Sequence, residues 1–265
     1  MCYTYCLYAM KIKIFFILAA SLASTVISAQ TAMEISEKAT DVIEYDAMEM
    51  ASTLKIYDAK GSERIRQVTT ATKKFGETTK TMIKFIAPAD IKGTAILIYD
   101  HENTADDMWI YMPALRKTRR IVSSEKGKNF MGSEFTNADM SKPNRNDFQY
   151  KNLGSESVEG KTCWKIESVC NNETVAGENG FSRKVSYIEQ GSYLCHKAEF
   201  YDLQGKLNKI QFIRHYKKQT GGKYFAYEME MRNEQNGRKS IMIIDKFQTG
   251  SILPESAFTA AMLEK

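Results

Sequence analysis

The sequence predicts a mainly β fold, one long antiparallel sheet with few helices, and three observations carry that prediction. Successive runs alternate apolar and polar side chains with the period of two that a pleated strand imposes. Glycine-bearing turn signals, "AKGSE", "KFGET", "VEGK", "LQGK", "QTGGK" and "QNGR", separate those runs at recurring intervals. Helical periodicity is confined to the two ends and one brief central turn. Short turns between neighbouring strands favour an antiparallel meander over βαβ crossovers.

The elements follow in chain order. Lys11 and Lys13 precede the uncharged apolar run "IFFILAASLASTVI" and the small residues of "SAQ", the pattern of a cleavable secretory leader over residues 1–29. The run is shorter than the ~20 residues a membrane-spanning helix needs. Met10 fits a true start, which would make residues 1–9 a misassigned beginning. No cysteine stands at the expected cut, so the mature chain, 30–265, is expected to be exported, soluble and without a lipid anchor. Next, "TAMEISEKATDVIEY" carries Met33, Ile35, Ala39, Val42 and Ile43 near helical spacing. "TTKTMIKFIA" then alternates as a strand, with Ile83 and Phe85 opposite Met82, Lys84 and Ile86. A helical turn is expected around 135–140 and a polar loop over 141–147. "KIQFIRHY" sets Ile210 and Phe212 against Lys209 and Gln211. "KYFAYEMEM" aligns Phe225, Tyr227, Met229 and Met231 on one side. "PESAFTAAMLEK" reads as a short closing helix begun by Pro254. No linker, charge block or repeat divides the mature chain, so one domain is expected.

Composition narrows the function. Hydrophobic residues make up 43% and charged residues 26%, ordinary for a globular protein. Without Lys11 and Lys13, 35 basic residues face 32 acidic ones, too balanced for a nucleic-acid binder. His101, His196 and His215 are far apart and show no metal-ligand spacing; no nucleophile elbow or phosphate loop occurs. "DHENTADD" gathers acids around His101, as either a polar turn or a metal site could. No cofactor or metal is expected, and the chain reads as a non-enzyme. Removal of the leader leaves Cys163, Cys170 and Cys195. On one strand Cys163 and Cys170 would stand ~23 Å apart, beyond disulfide reach. Any internal bridge would use Cys195, and three free thiols are the alternative.

The stretch from Asp107 to Phe135 carries a resemblance. Trp109-Ile110-Tyr111-Met112-Pro113-Ala114, Arg119-Arg120-Ile121 and Phe130-Met131-Gly132-Ser133-Glu134-Phe135, followed by Asp139, resemble in order and spacing the outer-membrane lipoprotein-sorting family, whose members look like the periplasmic lipoprotein carrier. The likeness spans nearly the whole mature chain. It implies a strongly curved sheet, an unclosed β-barrel with helices in its concave face, holding acyl chains between sheet and helices. It also implies a buried arginine that tethers the lid, which the pattern does not assign to one residue.

Alternation and resemblance together nominate an apolar cavity lined by Ile83, Phe85, Trp109, Tyr111, Phe212, Phe225 and Tyr227. A slip of one residue would exchange the two faces of any strand. Arg116, Arg119 and Arg120 fit either a rim for anionic head groups or an acidic partner, or a solvated strand whose charges discourage edge pairing. The resemblance implies a periplasmic carrier of lipid or of lipoprotein acyl chains, with an inner-membrane donor and an outer-membrane acceptor as partners. The alternative is a module on the same fold that senses envelope lipids or lipoproteins and relays this to a membrane protein.

Overall fold

The computed structural model describes residues 30–102 and 104–265; the expected leader, 1–29, lies outside the described residues. The unit from Ala32 to Lys265 holds one sheet. Its first run is β1 (Ala47–Tyr57), β2 (Glu63–Phe75), β3 (Thr78–Ala87), β4 (Ala95–His101), β5 (Asp107–Met112) and β6 (Lys117–Ile121). Its second is β7 (Phe148–Val158), β8 (Lys161–Cys170), β9 (Arg183–Glu189), β10 (Cys195–Tyr201), β11 (Leu207–Lys218), β12 (Tyr224–Asn233) and β13 (Lys239–Thr249). Each run is an antiparallel meander, and β13 pairs with β1, so the order is β6-β5-β4-β3-β2-β1-β13-β12-β11-β10-β9-β8-β7.

This topology explains the unclosed shape. The two edges, β6 and β7, are consecutive in sequence, and residues 122–147 connect them across the inner face instead of by a hairpin. Phe130 and Phe135 of that connection join one apolar cluster with β1–β5 on one flank and β10, β12 and β13 on the other, so the sheet curves around them. The hairpins follow their turn residues. Glu159 and Gly160 both have positive φ, 49° and 80°, the two-residue turn whose twist matches that of the flanking strands.

Three α-helices occur among the described residues: α1 (Ala32–Asp41), which packs on the inner face, α2 (Ser123–Lys126) and α3 (Glu173–Asn179). α1 ends four residues short of the helical pattern's last residue, Tyr45, and seats Ile35 against Ile166 and Ile188. α3 is a helix the apolar pattern did not reveal: Asn172 caps Val175 N at 3.0 Å, and Gly180 ends it with φ 76°.

The outer face is dressed unevenly. A C-terminal strap, residues 251–265, crosses β2–β6 as two short 3-10 turns where one helix was expected. It buries Phe258 and Leu263 against Met82, Ala95 and Leu97. β4 is therefore apolar on both sides, Ile96 and Ile98 facing in and Ala95 and Leu97 facing out.

Candidate functional site: an apolar inner face under a locked plug

The connection 122–147 acts as a plug. Met131 and Gly132 take left-handed backbone (φ 49° and 77°), folding the chain so that Phe130 N meets Phe135 O at 2.8 Å. Both phenyl rings then reach the sheet, Phe130 lying 5.8 Å from Phe85 between ring centres. At the tip, Glu134 is 1% exposed and fastened from every side. Its amide donates to Ser240 Oγ at 2.9 Å, and Asn233 Nδ2 donates to its Oε2 at 2.9 Å. Lys209 Nζ donates to its carbonyl at 2.6 Å. Arg238 Nε stands 3.1 Å from Oε1, close as a charge but misaligned as a hydrogen bond. Burial pulls the Lys209 ammonium below the usual lysine range, with the Glu134 charge opposing it.

Beside the plug the inner face opens. Tyr45, Phe225, Tyr227 and Phe247 are half-buried and interlock, with Phe225 and Phe247 stacked at 3.6 Å and Tyr45 edge-on to Phe247 at 5.4 Å. Met50 and Met229 flank them, and Lys217 Nζ stands 4.0 Å from the centre of the Tyr227 ring. Among the described residues no partner meets the buried Tyr45 hydroxyl, and burial first, then Tyr227, raises its pKa. Arg66 Nη1, on β2, is likewise buried with no acceptor among the described residues; burial lowers the arginine's pKa. A side chain at Gly132 would come 4.0 Å from that guanidinium, so Arg66 lies directly under the plug. Buried polar atoms left unpaired are uncommon and call for an explanation.

The structure divides the seven nominated cavity residues. Ile83, Phe85, Phe225 and Tyr227 share the inner face, the first two sealed by the plug. Trp109 and Tyr111 face outward onto the strap's cluster, because β5 is apolar on both sides and its inward residues are Met108 and Ile110. Phe212 also faces outward, its ring flanked by the guanidinium groups of Arg214 at 4.6 Å and Arg232 at 4.8 Å. Glu134 lies within the family motif but is not among the nominated site residues, and neither are Lys209, Asn233, Arg238, Tyr45 and Phe247.

The three nominated arginines lie at the β5–β6 end of the sheet. β6 is an edge strand. Arg119 pairs with Glu125 at 2.7 Å, Arg120 pairs with Asp107 on the opposite face, and Arg116 sits in the turn with φ 48°. Near the same edge, a polar cleft of about 590 Å³ opens between the β4–β5 turn, residues 138–147 and α3. His101 there lies 3.1 Å from Thr78 Oγ1 and 3.3 Å from Asp107 Oδ2. Burial pushes Asp100 up to about 6, although Lys142 N donates to it at 2.8 Å. Among the described residues no group of three or more His, Cys, Asp or Glu side chains is arranged to hold a metal ion.

Comparison with solved structures matches this architecture. An outer membrane lipoprotein-sorting protein domain from Vibrio parahaemolyticus superposes with a TM-score of 0.81 at 26% identity, covering 88% of this chain and 98% of the other. A DUF1329 family protein from Desulfovibrio piger gives 0.81 at 25% identity, covering 88% and 97%. A LolA superfamily protein from Nitrosomonas europaea gives 0.70 at 21% identity, covering 88% and 100%, and supports the fold alone. No curated protein matches the sequence. A family model described as "Uncharacterized protein" matches residues 77–265, well over half the chain. With a curved, unclosed antiparallel sheet enclosing a helical plug, the chain has a lipoprotein-carrier-like fold and belongs to the DUF1329 family.

Proposed function

We propose that this protein is a periplasmic carrier that takes up acyl chains, of lipids or of lipoproteins, on its inner face and delivers them toward the outer membrane. The observation that carries the reading is the half-buried shelf of Tyr45, Phe225, Tyr227 and Phe247 with Met50 and Met229, continuous with the apolar interior. An acyl chain laid there leaves water at ~0.8 kcal/mol per methylene. Methionine and aromatic walls accommodate chains of differing shape, as loading and release require. The unpaired Tyr45 hydroxyl offers a hydrogen bond to an ester or amide carbonyl, and Lys217 sets a cation at the lip. Deeper entry requires the plug to lift from Phe85, with Arg238, which donates to Gly132 O at 3.0 Å, and the Glu134 fastenings holding it until cargo arrives. Likeness to a lipoprotein-sorting domain supports the cargo class. The leader read from 1–29 supports export. No helix among the described residues is long and apolar enough to cross a membrane, an observation that does not bear on strands.

Native mass spectrometry of protein purified from the envelope fraction tests the reading. Mature protein starting near Gln30 with co-purified lipid or acylated peptide is expected. A chain that never carries acyl cargo, even when its plug is loosened by Glu134→Ala, would overturn it.

A further inference from the structure

The outer face carries an apolar groove that shares only Met50 and Phe247 of its lining with the inner-face shelf. It lies between the strap and strands β13, β1, β2 and β3, is open to solvent and encloses about 450 Å³, within the usual range of small-molecule sites. The pairing register lays out its floor in two rungs. One runs Gln248–Glu49–Ala71–Met82, the other Lys246–Ala51–Thr69–Lys84. Alanine at 51 and 71 leaves a trough where larger side chains would fill it. The strap roofs the first rung with Leu253, Ala257, Phe258 and Met262. Three polar clips hold it there: Lys73 Nζ to Leu253 O at 2.8 Å, Lys80 to Glu255 at 2.7 Å, and Tyr99 to Phe258 O at 2.7 Å.

The second rung supplies the charge. Lys246 and Lys84 end it on opposite sides, three strand spacings or roughly 14 Å apart, so their long arms can converge over the middle. Neither meets a carboxylate among the described residues, whereas Lys165, Lys197, Arg214 and Arg232 on the same outer face are all paired. Glu49, the one acid lining the groove, already accepts from Gln248 Nε2 at 2.6 Å and from Ser251 Oγ. An apolar trough with a roof at one end and two uncompensated cations at the other is complementary to an amphiphile with one tail and one anionic head.

We infer that this groove is a second binding site, for a single long-chain fatty acid. Its tail lies along the edge of the strap over Ala51 and Ala71, and its carboxylate sits between Lys84 and Lys246. The volume suits one chain, and two lysines suit one carboxylate better than a zwitterionic head.

The test uses the full mature chain with methyl-labelled methionine, titrated with dansyl-undecanoic acid and with its methyl ester. Binding at the groove shifts the Met82 and Met262 methyl signals, while inner-face binding shifts Met229, so the two sites report separately. In a Phe225→Asp, Tyr227→Asp background the acid is expected still to shift Met82 and Met262. Lys84→Gln with Lys246→Gln should weaken the acid at least tenfold and leave the ester unchanged. Ala71→Trp should abolish both; if that variant does not fold, the lysine pair and the methyl shifts decide alone. Unmoved Met82 and Met262 signals at saturation, or equal binding of acid and ester that ignores the lysine changes, would overturn the proposal. A shift of Met229 alone would do so while leaving the inner-face reading intact.

Discussion

Glu134 and Lys209 meet twice: the lysine ammonium donates to the glutamate's own carbonyl at 2.6 Å and stands 4.0 Å from its carboxylate. Both residues are buried, and they join the plug tip to β11. With Ser240, Asn233 and Arg238 they make Glu134 the fastening that keeps Phe130 and Phe135 seated. Removing one partner of a buried ion pair is costly because the other charge is left unpaired. Glu134→Ala is therefore expected to lower unfolding stability by about 3 kcal/mol, read by urea denaturation, and to speed amide exchange in residues 128–140.

Asp100 sets a pH dependence of definite sign. Burial raises its folded pKa to about 6, above the ordinary aspartate value, so the folded state prefers the protonated acid. Its contribution is therefore most favourable below about pH 4 and is lost as pH rises through 6. Asp100→Asn, whose side-chain oxygen can still accept from Lys142 N, should stabilise the protein at pH 7.5 by up to about 3 kcal/mol and leave it unchanged at pH 4. Thermal melts at the two pH values read this difference.

Cys163, Cys170 and Cys195 are all free thiols. Burial raises all three pKa values, Cys170 and Cys195 to about 11. The thiolate is the reactive form, so native protein at pH 8 should alkylate with iodoacetamide many times more slowly than a free cysteine. In a chain that begins at Gln30, denaturant should release three equivalents promptly, counted by intact mass.

The arginine rim is expected to matter for encounter more than for folding. Arg119 and Arg120 form exposed ion pairs with Glu125 and Asp107, contacts that contribute little to stability. Changing both to Gln should leave the melting temperature nearly unchanged. Co-sedimentation with anionic vesicles should weaken by up to ~1 kcal/mol per charge, less at higher salt. A large drop in melting temperature with unaltered vesicle binding would assign them to the scaffold.

The alternation in β12 was legible because one of its faces is apolar throughout: Phe225, Tyr227, Met229 and Met231 all point inward. β5 was not legible in the same way. Met108 and Ile110 face the core while Trp109 and Tyr111 meet a strap more than 140 residues later in the chain, so both faces read as core. Phe212 was misleading for a different reason, its outward ring being covered by two arginine side chains rather than by an apolar partner. The Glu134 fastening leaves no local pattern, since Lys209 and Asn233 lie 75 and 99 residues away. The family motif marked the plug's position, and only the fold supplied what holds it.

The most direct test of the central claim is the binding of a fluorescent fatty acid to wild type and to a folded Phe225→Asp, Tyr227→Asp variant, by titration with stoichiometry. An acyl-binding inner face predicts that the variant loses one bound equivalent, or binds that equivalent at least tenfold more weakly, a difference of about 1.4 kcal/mol. The same stoichiometry and the same affinity in both proteins would contradict it.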